Sequence, residues 1–275
     1  MIRAALRPYY VMGALIAACL AVAAGAGLLN PDIYRPFIPS DAIFVGLPVQ
    51  DLVSLLAAPL LVVAMVYTAR GSARALVIWA GLLVFAAYYY AFFCFGFTYT
   101  VFYPLYIAIM GLGVYSLLGL LTGVDVTAFA ARVDERMPVR FIAVVLAMPL
   151  LLVPLWLMGI AHGISTQQPG AADLVFALDL AFLIPAMAFA AVQIWQRRPL
   201  GYMLGGVLLV KATISGILLT GGSIRQFVLG FAVGPDFAMY VFLAVAGLAA
   251  LALYLWHLHD EPRAVNAAAR HVVSH

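Results

Sequence analysis

The sequence predicts an all-α membrane protein, a polytopic helix bundle with eight transmembrane helices and both termini in the cytoplasm. Apolar residue types make up 67% of the 275 residues, charged types make up 9%, and the mean hydropathy is +1.11. A soluble domain is typically about 45–50% apolar and about 25% charged. The composition therefore excludes a soluble globular protein, a disordered chain and a nucleic-acid-binding protein.

The number of helices follows from the length of the apolar runs. A bilayer core about 30 Å thick is crossed by about 20 residues of α-helix. The runs are continuous, whereas the strands of a transmembrane barrel alternate apolar and polar residues. Eight runs are long enough, at residues 9–29, 47–68, 74–97, 100–122, 139–161, 174–195, 200–220 and 236–257. We number them spans 1 to 8, so that residues 1–260 form a single transmembrane domain and residues 261–275 a short cytoplasmic tail.

The distribution of arginine predicts the orientation. With the N-terminus in the cytoplasm, eleven of the thirteen arginines lie on the cytoplasmic side, and only Arg35 and Arg225 lie outside. Basic residues collect in short cytoplasmic loops. We therefore place both termini inside. The expected location is a cell membrane, in the simplest case a bacterial inner membrane, with the lipid bilayer as the first partner of the protein.

Span 1 has a second interpretation as a signal peptide. Arg3 and Arg7 precede an apolar run that ends in small residues, which is the order found in secretory signals. The run is about 20 residues long, whereas signal cores have about 7–15, so we expect the span to be retained. Cleavage would leave seven spans with the N-terminus outside.

The longest inner loop, residues 125–138, carries apolar residues at a helical spacing. Phe129, Val133 and Met137 recur at every fourth position beside charged neighbours. This pattern predicts a short amphipathic helix on the membrane surface. A solvated linker is the alternative.

Two pairs of spans indicate a parallel four-plus-four repeat. Spans 2 and 6 each carry an Asp-Leu pair, then a proline, then arginine at the end, and Asp51 and Asp179 are 128 positions apart. In spans 4 and 8, a tyrosine is followed seven residues later by glycine, at Tyr106 and at Tyr240. Such halves would be related by an axis along the membrane normal. Chance similarity between apolar helices is the alternative.

Three ionisable residues inside the spans are the first candidates for a functional site. Asp51 and Asp179 are placed near the outer ends of spans 2 and 6, and Lys211, the only lysine, near the middle of span 7. An ionisable residue inside a membrane costs about 2.5–3.5 kcal/mol on insertion scales, and it marks a site or an internal pair. The alternatives are that each acid charges a helix N-terminus and that Lys211 has a structural partner.

Lys211 also allows chemistry that arginine does not. A desolvated lysine can lose its proton or form a covalent bond. The depths of the acids and of Lys211 differ, so the sequence leaves open whether they meet directly or through water. Tyr88, Tyr89 and Tyr90 of span 3 lie at intermediate depth. They complete the candidate ligand- or ion-binding site as a hydroxyl-lined wall, with a packed aromatic core as the alternative.

Prolines and glycines indicate where spans bend and where they touch. Pro59, Pro149, Pro154 and Pro185 lie within spans 2, 5 and 6, and a proline inside a helix frees a carbonyl and bends the chain. Span 7 is rich in glycine and other small residues, which allow close packing between helices. We therefore expect span 7, and Lys211 with it, to lie in the centre of the bundle.

The sequence carries no recognisable catalytic or metal-binding motif. His257, His259 and Asp260 stand close together at the end of span 8, but residues two apart on a helix point to different faces. We therefore predict no metal, no cofactor and no catalytic residue.

Four functions remain open at this stage. The first is a small transporter or ligand-binding permease, with a polar site in the outer half of the bundle and a small molecule or ion as its ligand. The second is a non-catalytic assembly or sensor subunit with a membrane-protein partner. A membrane-embedded lipid-modifying enzyme is less favoured, because this sequence has no catalytic motif. A retinal-type Schiff-base photoreceptor is also less favoured, because such proteins carry their lysine in the last helix, whereas span 8 follows Lys211 here.

Overall fold

A computed structural model describes residues 6–38, 40–96, 98–168, 170, 172–232, 234 and 237–261. It confirms the all-α class and the eight helices that are long and apolar enough to cross a membrane. These spans are Arg7–Leu29, Asp41–Ala69, Ala73–Phe95, Tyr103–Gly123, Val139–Thr166, Asp173–Trp195, Pro199–Val228 and Phe237–Trp256. Of the predicted tail, only Glu261 falls within the described residues, and Arg3, the first basic residue of the signal-peptide interpretation of span 1, also lies outside them.

Span 2 begins earlier than the sequence predicts. Ser40 caps the helix by accepting a hydrogen bond from the backbone N–H of Ile43 at 3.5 Å, and the helix continues through Pro48. Asp51 therefore lies in the helix interior, about ten residues from its start. The alternative that Asp51 charges the first helical turn is wrong, because the polar cap at Ser40 starts the helix before the apolar run does.

Spans 5 and 6 are interrupted near their prolines. Span 5 consists of the helices Val139–Ala147 and Val153–Thr166, joined by a 3₁₀ segment at Met148–Leu152. Span 6 consists of Asp173–Leu178 and Ile184–Trp195, joined by a π-helical segment at Asp179–Leu183. In that segment the N–H of Ile184 donates to the carbonyl of Asp179, which is the wider π-helical bond.

The centre of the bundle is formed by spans 3 and 7. Buried residues make up 78% of the most apolar part of span 3 and 61% of that of span 7, against 22% to 39% in the other six spans. The two central helices approach closely at Gly81, where an added Cβ would overlap the side chain of Val210. Span 7 also lies against the backbone of span 8, because an added Cβ at Gly216 would stand 2.7 Å from the Cα of Ala244. The expected central position of span 7 is therefore confirmed.

Four helix contacts within the first half of the chain have counterparts in the second half, where span 5 also contacts span 7. In the first half, span 1 packs against spans 2 and 4, and span 3 packs against spans 2 and 4. In the second half, span 5 packs against spans 6 and 8, and span 7 packs against spans 6 and 8. The halves meet through spans 3 and 7, through spans 2 and 7, and through spans 3 and 6. The four-plus-four repeat itself stays a prediction.

The predicted inner end is tied together by polar contacts. Asp260 accepts hydrogen bonds from Ser72 Oγ at 2.9 Å and from the backbone N–H of Ala73 at 2.8 Å, and so caps span 3. Arg74 Nε donates to the carbonyl of Leu258 at 2.7 Å. Arg132 donates to the carbonyls of Gly71 and Asp260. These bonds join the ends of spans 3 and 8 and the long inner loop.

The inner loop is not a surface helix. Its helical part is short, at Val126–Ala130, and is capped by Asp125. Phe129, Val133 and Met137 are all buried, and Val133 forms a β-bridge with Leu258. The apolar residues predicted to face the membrane therefore pack beneath the bundle, because the end of span 8 supplies a protein surface for them.

Candidate functional site

A large cavity begins at the predicted outer end of the bundle and reaches its centre. Its volume is 1290 Å³, above the roughly 300–1,000 Å³ of typical ligand pockets. Three loops line its mouth, through Phe37 and Ile38, through Gly170 and Ala172, and through Gly234. Spans 3, 6 and 7 supply its floor.

The wall of the cavity is largely apolar and aromatic. It includes side chains from spans 3, 5, 6 and 8, among them Phe92, Leu155, Met158, Phe176 and Leu243. Away from the mouth, the charged side chains lining the cavity within the described residues are Asp179 and Lys211. A ligand in this space would meet hydrocarbon on most sides and a small polar group at the bottom.

Asp179 is buried and accepts a hydrogen bond on each oxygen. The Tyr88 hydroxyl donates to Oδ1, and the Trp156 indole N–H donates to Oδ2 at 3.0 Å. Asp179 is the first residue of the π-helical segment in span 6. A π-helical segment points its side chains in directions that differ from those of a regular α-helix. Such segments are frequent at functional sites.

Lys211 is buried in the middle of span 7, with 3% of its surface exposed. Its Nζ lies 3.8 Å from the centroid of the Tyr88 ring and 5.8 Å from that of Tyr89. No described residue forms a salt bridge with Lys211 or accepts a hydrogen bond from its Nζ, and the charge of Asp179 acts on it at longer range. Tyr88 therefore connects the two charges, since its hydroxyl contacts the carboxylate and its ring contacts the ammonium.

The aromatic contact compensates the buried ammonium only in part. A desolvated cation–π contact is worth roughly 2 kcal/mol, whereas burying an ion costs several kcal/mol. Nearby, Ser215 Oγ donates to the Lys211 carbonyl at 2.9 Å, so that this hydroxyl group is directed at the helix backbone. The amine of Lys211 is thus the polar group of the floor that has no anionic partner among the described residues.

Asp51 belongs to a second cluster, outside the lining of the cavity. Tyr34, in the outer loop, donates from its hydroxyl to Asp51 Oδ1 at 3.2 Å, and the hydroxyl groups of Tyr90 and Tyr106 lie near Asp51. The Thr100 hydroxyl donates to that of Tyr106 at 2.9 Å. Burial, and after it the Asp51 carboxyl, raises the pKa of Tyr34 above its usual value, so this hydroxyl keeps its proton and remains a donor.

One oxygen of Asp51 has no partner among the described residues. Asp51 is 2% exposed, and its Oδ2 is buried without a hydrogen bond. The oxygen faces span 1 at Gly27, where an added Cβ would overlap both Asp51 Oδ2 and the Tyr34 hydroxyl. Glycine at this position therefore lets span 1 pass directly over the carboxyl group.

The structure divides the six sequence-predicted site residues between these two places. Four of them line the cavity: Tyr88, Tyr89, Asp179 and Lys211. Asp51 and Tyr90 lie in the second cluster instead, because span 2 presents Asp51 to spans 1, 3 and 4. Consecutive residues of span 3 point in different directions, so Tyr88 and Tyr89 face the cavity while Tyr90 faces away.

The sequence pattern did not indicate three aromatic residues that lie beside Asp51 or Asp179, namely Trp156, Tyr34 and Tyr106. Trp156 follows Pro154 closely, and a tryptophan inside a span needs an acceptor for its N–H. Tyr34 stands between Pro31 and Pro36 in a loop too short to leave the bundle. Tyr106 was singled out only as part of the tyrosine–glycine pattern that spans 4 and 8 share, and not as a neighbour of Asp51. The hydroxyl or N–H group of a buried tyrosine or tryptophan needs a hydrogen-bond partner, and this need could have indicated that these residues lie beside buried acids.

Comparison with protein-family models, with curated proteins and with solved structures finds no match for this chain.

Proposed function

We propose that the protein is a small transporter, a ligand-binding permease that receives a small molecule from the predicted outer side of a cell membrane. The observation that carries this proposal is the cavity that leads from that end past Asp179 to Lys211 in the middle of span 7. An ionisable residue at membrane depth that lines a cavity is typical of a substrate or ion pathway. Largely apolar walls with few polar groups are typical of a small-molecule site.

Access from one side supports transport in particular. At the predicted inner end, the bonds of Arg74, Arg132 and Asp260 tie spans 3 and 8 to the long inner loop. A bundle with an entrance at one end and a hydrogen-bonded closure at the other has the form of one state in alternating access. Release of the ligand inside would require these bonds to open.

The interruptions of spans 5 and 6 supply the places where such a movement can occur. The 3₁₀ segment at Met148–Leu152 and the π-helical segment at Asp179–Leu183 both lie beside the cavity. Hinges are short stretches that absorb changes of backbone angle. Because Asp179 is part of one of them, a movement of span 6 would change its bonds to Tyr88 and Trp156. In the four-plus-four arrangement that we propose, spans 5 and 6 correspond to spans 1 and 2.

Asp51 is the candidate for the coupling proton. Tyr34 donates to one of its oxygens, its other oxygen has no described partner, and no described basic side chain bonds to it. An ionised carboxylate in that setting would cost several kcal/mol, and the group avoids this cost by holding a proton. The side chains around it are uncharged tyrosines from the outer loop and from spans 3 and 4, namely Tyr34, Tyr90 and Tyr106. Release of the proton would therefore require the cluster to open.

The proposal is tested by uptake into proteoliposomes under an imposed proton gradient. The panel contains radiolabelled monocarboxylates, amino acids, sugars and organic cations. One class should accumulate above the level of protein-free liposomes, and the Lys211→Met and Asp51→Asn variants should each abolish this uptake. If no class accumulates, or if both variants transport as the wild type does, the proposal is wrong.

A matched pair of glycine variants tests whether the cavity is the route. Gly46 lines the cavity and Gly111 does not, and at both positions an added Cβ meets no atom within 4 Å. Gly46→Phe should fill the outer part of the cavity and stop uptake, whereas Gly111→Phe should leave uptake intact. Equal transport by the two variants would place the route elsewhere.

A further inference from the structure

The floor of the cavity has an unequal supply of hydrogen-bond donors and acceptors. Both oxygens of Asp179 already accept bonds, from Tyr88 and from Trp156. Lys211 has three N–H donors, and no described residue accepts from them. What the floor offers to a ligand is therefore chiefly the amine of Lys211 with its free donors, since each oxygen of Asp179 already accepts one bond.

The charges point in the same direction. The carboxylate of Asp179 is stabilised by two donors, so it does not depend on Lys211 for its partners. Lys211, in contrast, is 3% exposed and rests on the face of the Tyr88 ring. An anion compensates a buried cation better than the face of an aromatic ring does. A ligand that brings an anionic oxygen to Lys211 Nζ would therefore complete this site.

The space above Lys211 suits the rest of such a ligand. Phe92, Leu155, Met158, Phe176 and Leu243 belong to the wall between the floor and the mouth. They offer contact to hydrocarbon and no charge to a second polar group. A ligand with polar groups along its whole length would find few partners on these five side chains.

We propose that the ligand is an amphiphilic carboxylate, with a hydrocarbon body in the aromatic cavity and its carboxylate on Lys211. This inference rests on the proposed ligand-binding function and names the chemical class of the ligand. Lys211 binds the carboxylate through charge-assisted hydrogen bonds, while Tyr88 and Trp156 hold Asp179 away from it. The apolar wall sets a preference for a chain over a compact polar acid.

The test is saturable binding to the full-length protein in lipid discs, with protein-free discs as the background. The probes are dodecanoate, dodecanol and dodecyltrimethylammonium, which share one chain and differ in the charge of the head. We expect dodecanoate to bind more tightly than the other two. Lys211→Met should weaken dodecanoate binding by about ten- to a hundredfold, as expected for loss of a charge-assisted bond, and should leave dodecanol binding unchanged.

Two further variants show whether the effect belongs to this amine. Lys211→Arg keeps the cation and should retain most of the affinity for dodecanoate. Arg140 contacts the Trp195 ring at 5.8 Å and does not line the cavity, so Arg140→Met removes a cation from another aromatic contact as a control. It should bind all three probes as the wild type does.

The outcomes separate this inference from the proposed function. Equal affinity for dodecanol and dodecanoate, or dodecanoate binding that Lys211→Met does not change, would overturn the inference that the ligand is a carboxylate. The proposed ligand site in the cavity would still stand. Borohydride reduction with retinal that yields an adduct on Lys211, without competition by dodecanoate, would overturn it in favour of a carbonyl ligand. If none of the three probes binds, the inference is overturned, whereas uptake of another solute class through the cavity would still uphold the proposed function.

Discussion

Gly27 provides a sharp test of the way span 1 packs over Asp51. In the structure, a methyl group at this position would overlap Asp51 Oδ2 and the Tyr34 hydroxyl. Two residues earlier on the same helix, an added Cβ at Gly25 meets no atom within 4 Å. The substitutions Gly27→Ala and Gly25→Ala therefore make the same chemical change in two different surroundings.

The expected magnitudes can be worked out for each position. Alanine in place of glycine inside a helix stabilises by about 0.5–1 kcal/mol, and this is the whole effect expected for Gly25→Ala. At Gly27, overpacking costs about 1–3 kcal/mol, and displacement of the Asp51 carboxyl costs the bond from Tyr34, about 1 kcal/mol. A net loss of about 2 kcal/mol would lower the Tm by roughly 4–8 °C.

The assay is thermal unfolding of the purified protein in one detergent, with both variants measured beside the wild type. A second variant separates this contact from a general defect of span 1. Asp51→Ala removes the atoms that the new methyl group would meet, so the double variant Gly27→Ala, Asp51→Ala should lose less than the two single variants together. If Gly27→Ala unfolds at the same temperature as Gly25→Ala, the carboxyl group does not lie against span 1 and the reasoning about Asp51 fails.

Three other predictions concern the cavity floor, the proton on Asp51 and the topology. Tyr88→Phe removes one of the two donors to Asp179 and should lower the free energy of unfolding by about 1.5–3 kcal/mol, measured as a lower Tm. Tyr89→Phe should lower it by less. Equal losses in the two variants would contradict the role of the Tyr88 hydroxyl. Infrared difference spectra of wild type against Asp51→Asn at neutral pH should contain a carbonyl band of a protonated carboxyl group, and a carboxylate band in its place would show that Asp51 is ionised. A green fluorescent protein fused to the C-terminus should fluoresce and alkaline phosphatase at the same place should be inactive, because both termini are predicted to be cytoplasmic; the reverse result would invert the assignment of the cavity mouth.

The fold class was accessible from the sequence because the bilayer imposes it locally. Each span must hold about 20 apolar residues whatever its neighbours do, so the count of eight could be read directly. The starts and ends were less accurate. Span 2 begins at Asp41 and span 7 continues to Val228, since polar caps and glycine-rich or charged helix turns extend beyond the apolar core.

The candidate site could be predicted in part. Lys211 and Asp179 stand out because ionisable residues are rare in apolar spans, and both line the cavity. Asp51 stands out for the same reason, yet it lies in a different cluster. Depth along a helix can be estimated from the rise per residue, but the direction in which a side chain points depends on how each helix is rotated against its neighbours.

The broken helices show the same difference. Pro149, Pro154 and Pro185 indicated that spans 5 and 6 would deviate from a regular helix, and both do. No pattern in the chain indicated that the deviation in span 6 would be a π-helical segment beginning at Asp179, or that Trp156 would reach its carboxylate. Those features arise where two irregular helices meet.

The amino-acid sequence by itself determined that this is an eight-span membrane bundle with a few costly polar residues inside, because composition and run length act on each segment separately. The tertiary structure alone decided that Tyr88 connects Lys211 to Asp179 at the bottom of a cavity, and that Asp51 lies apart from it beneath span 1. The physical reason is that such meetings depend on helix rotation and close backbone approach, which are properties of pairs of helices and not of single ones.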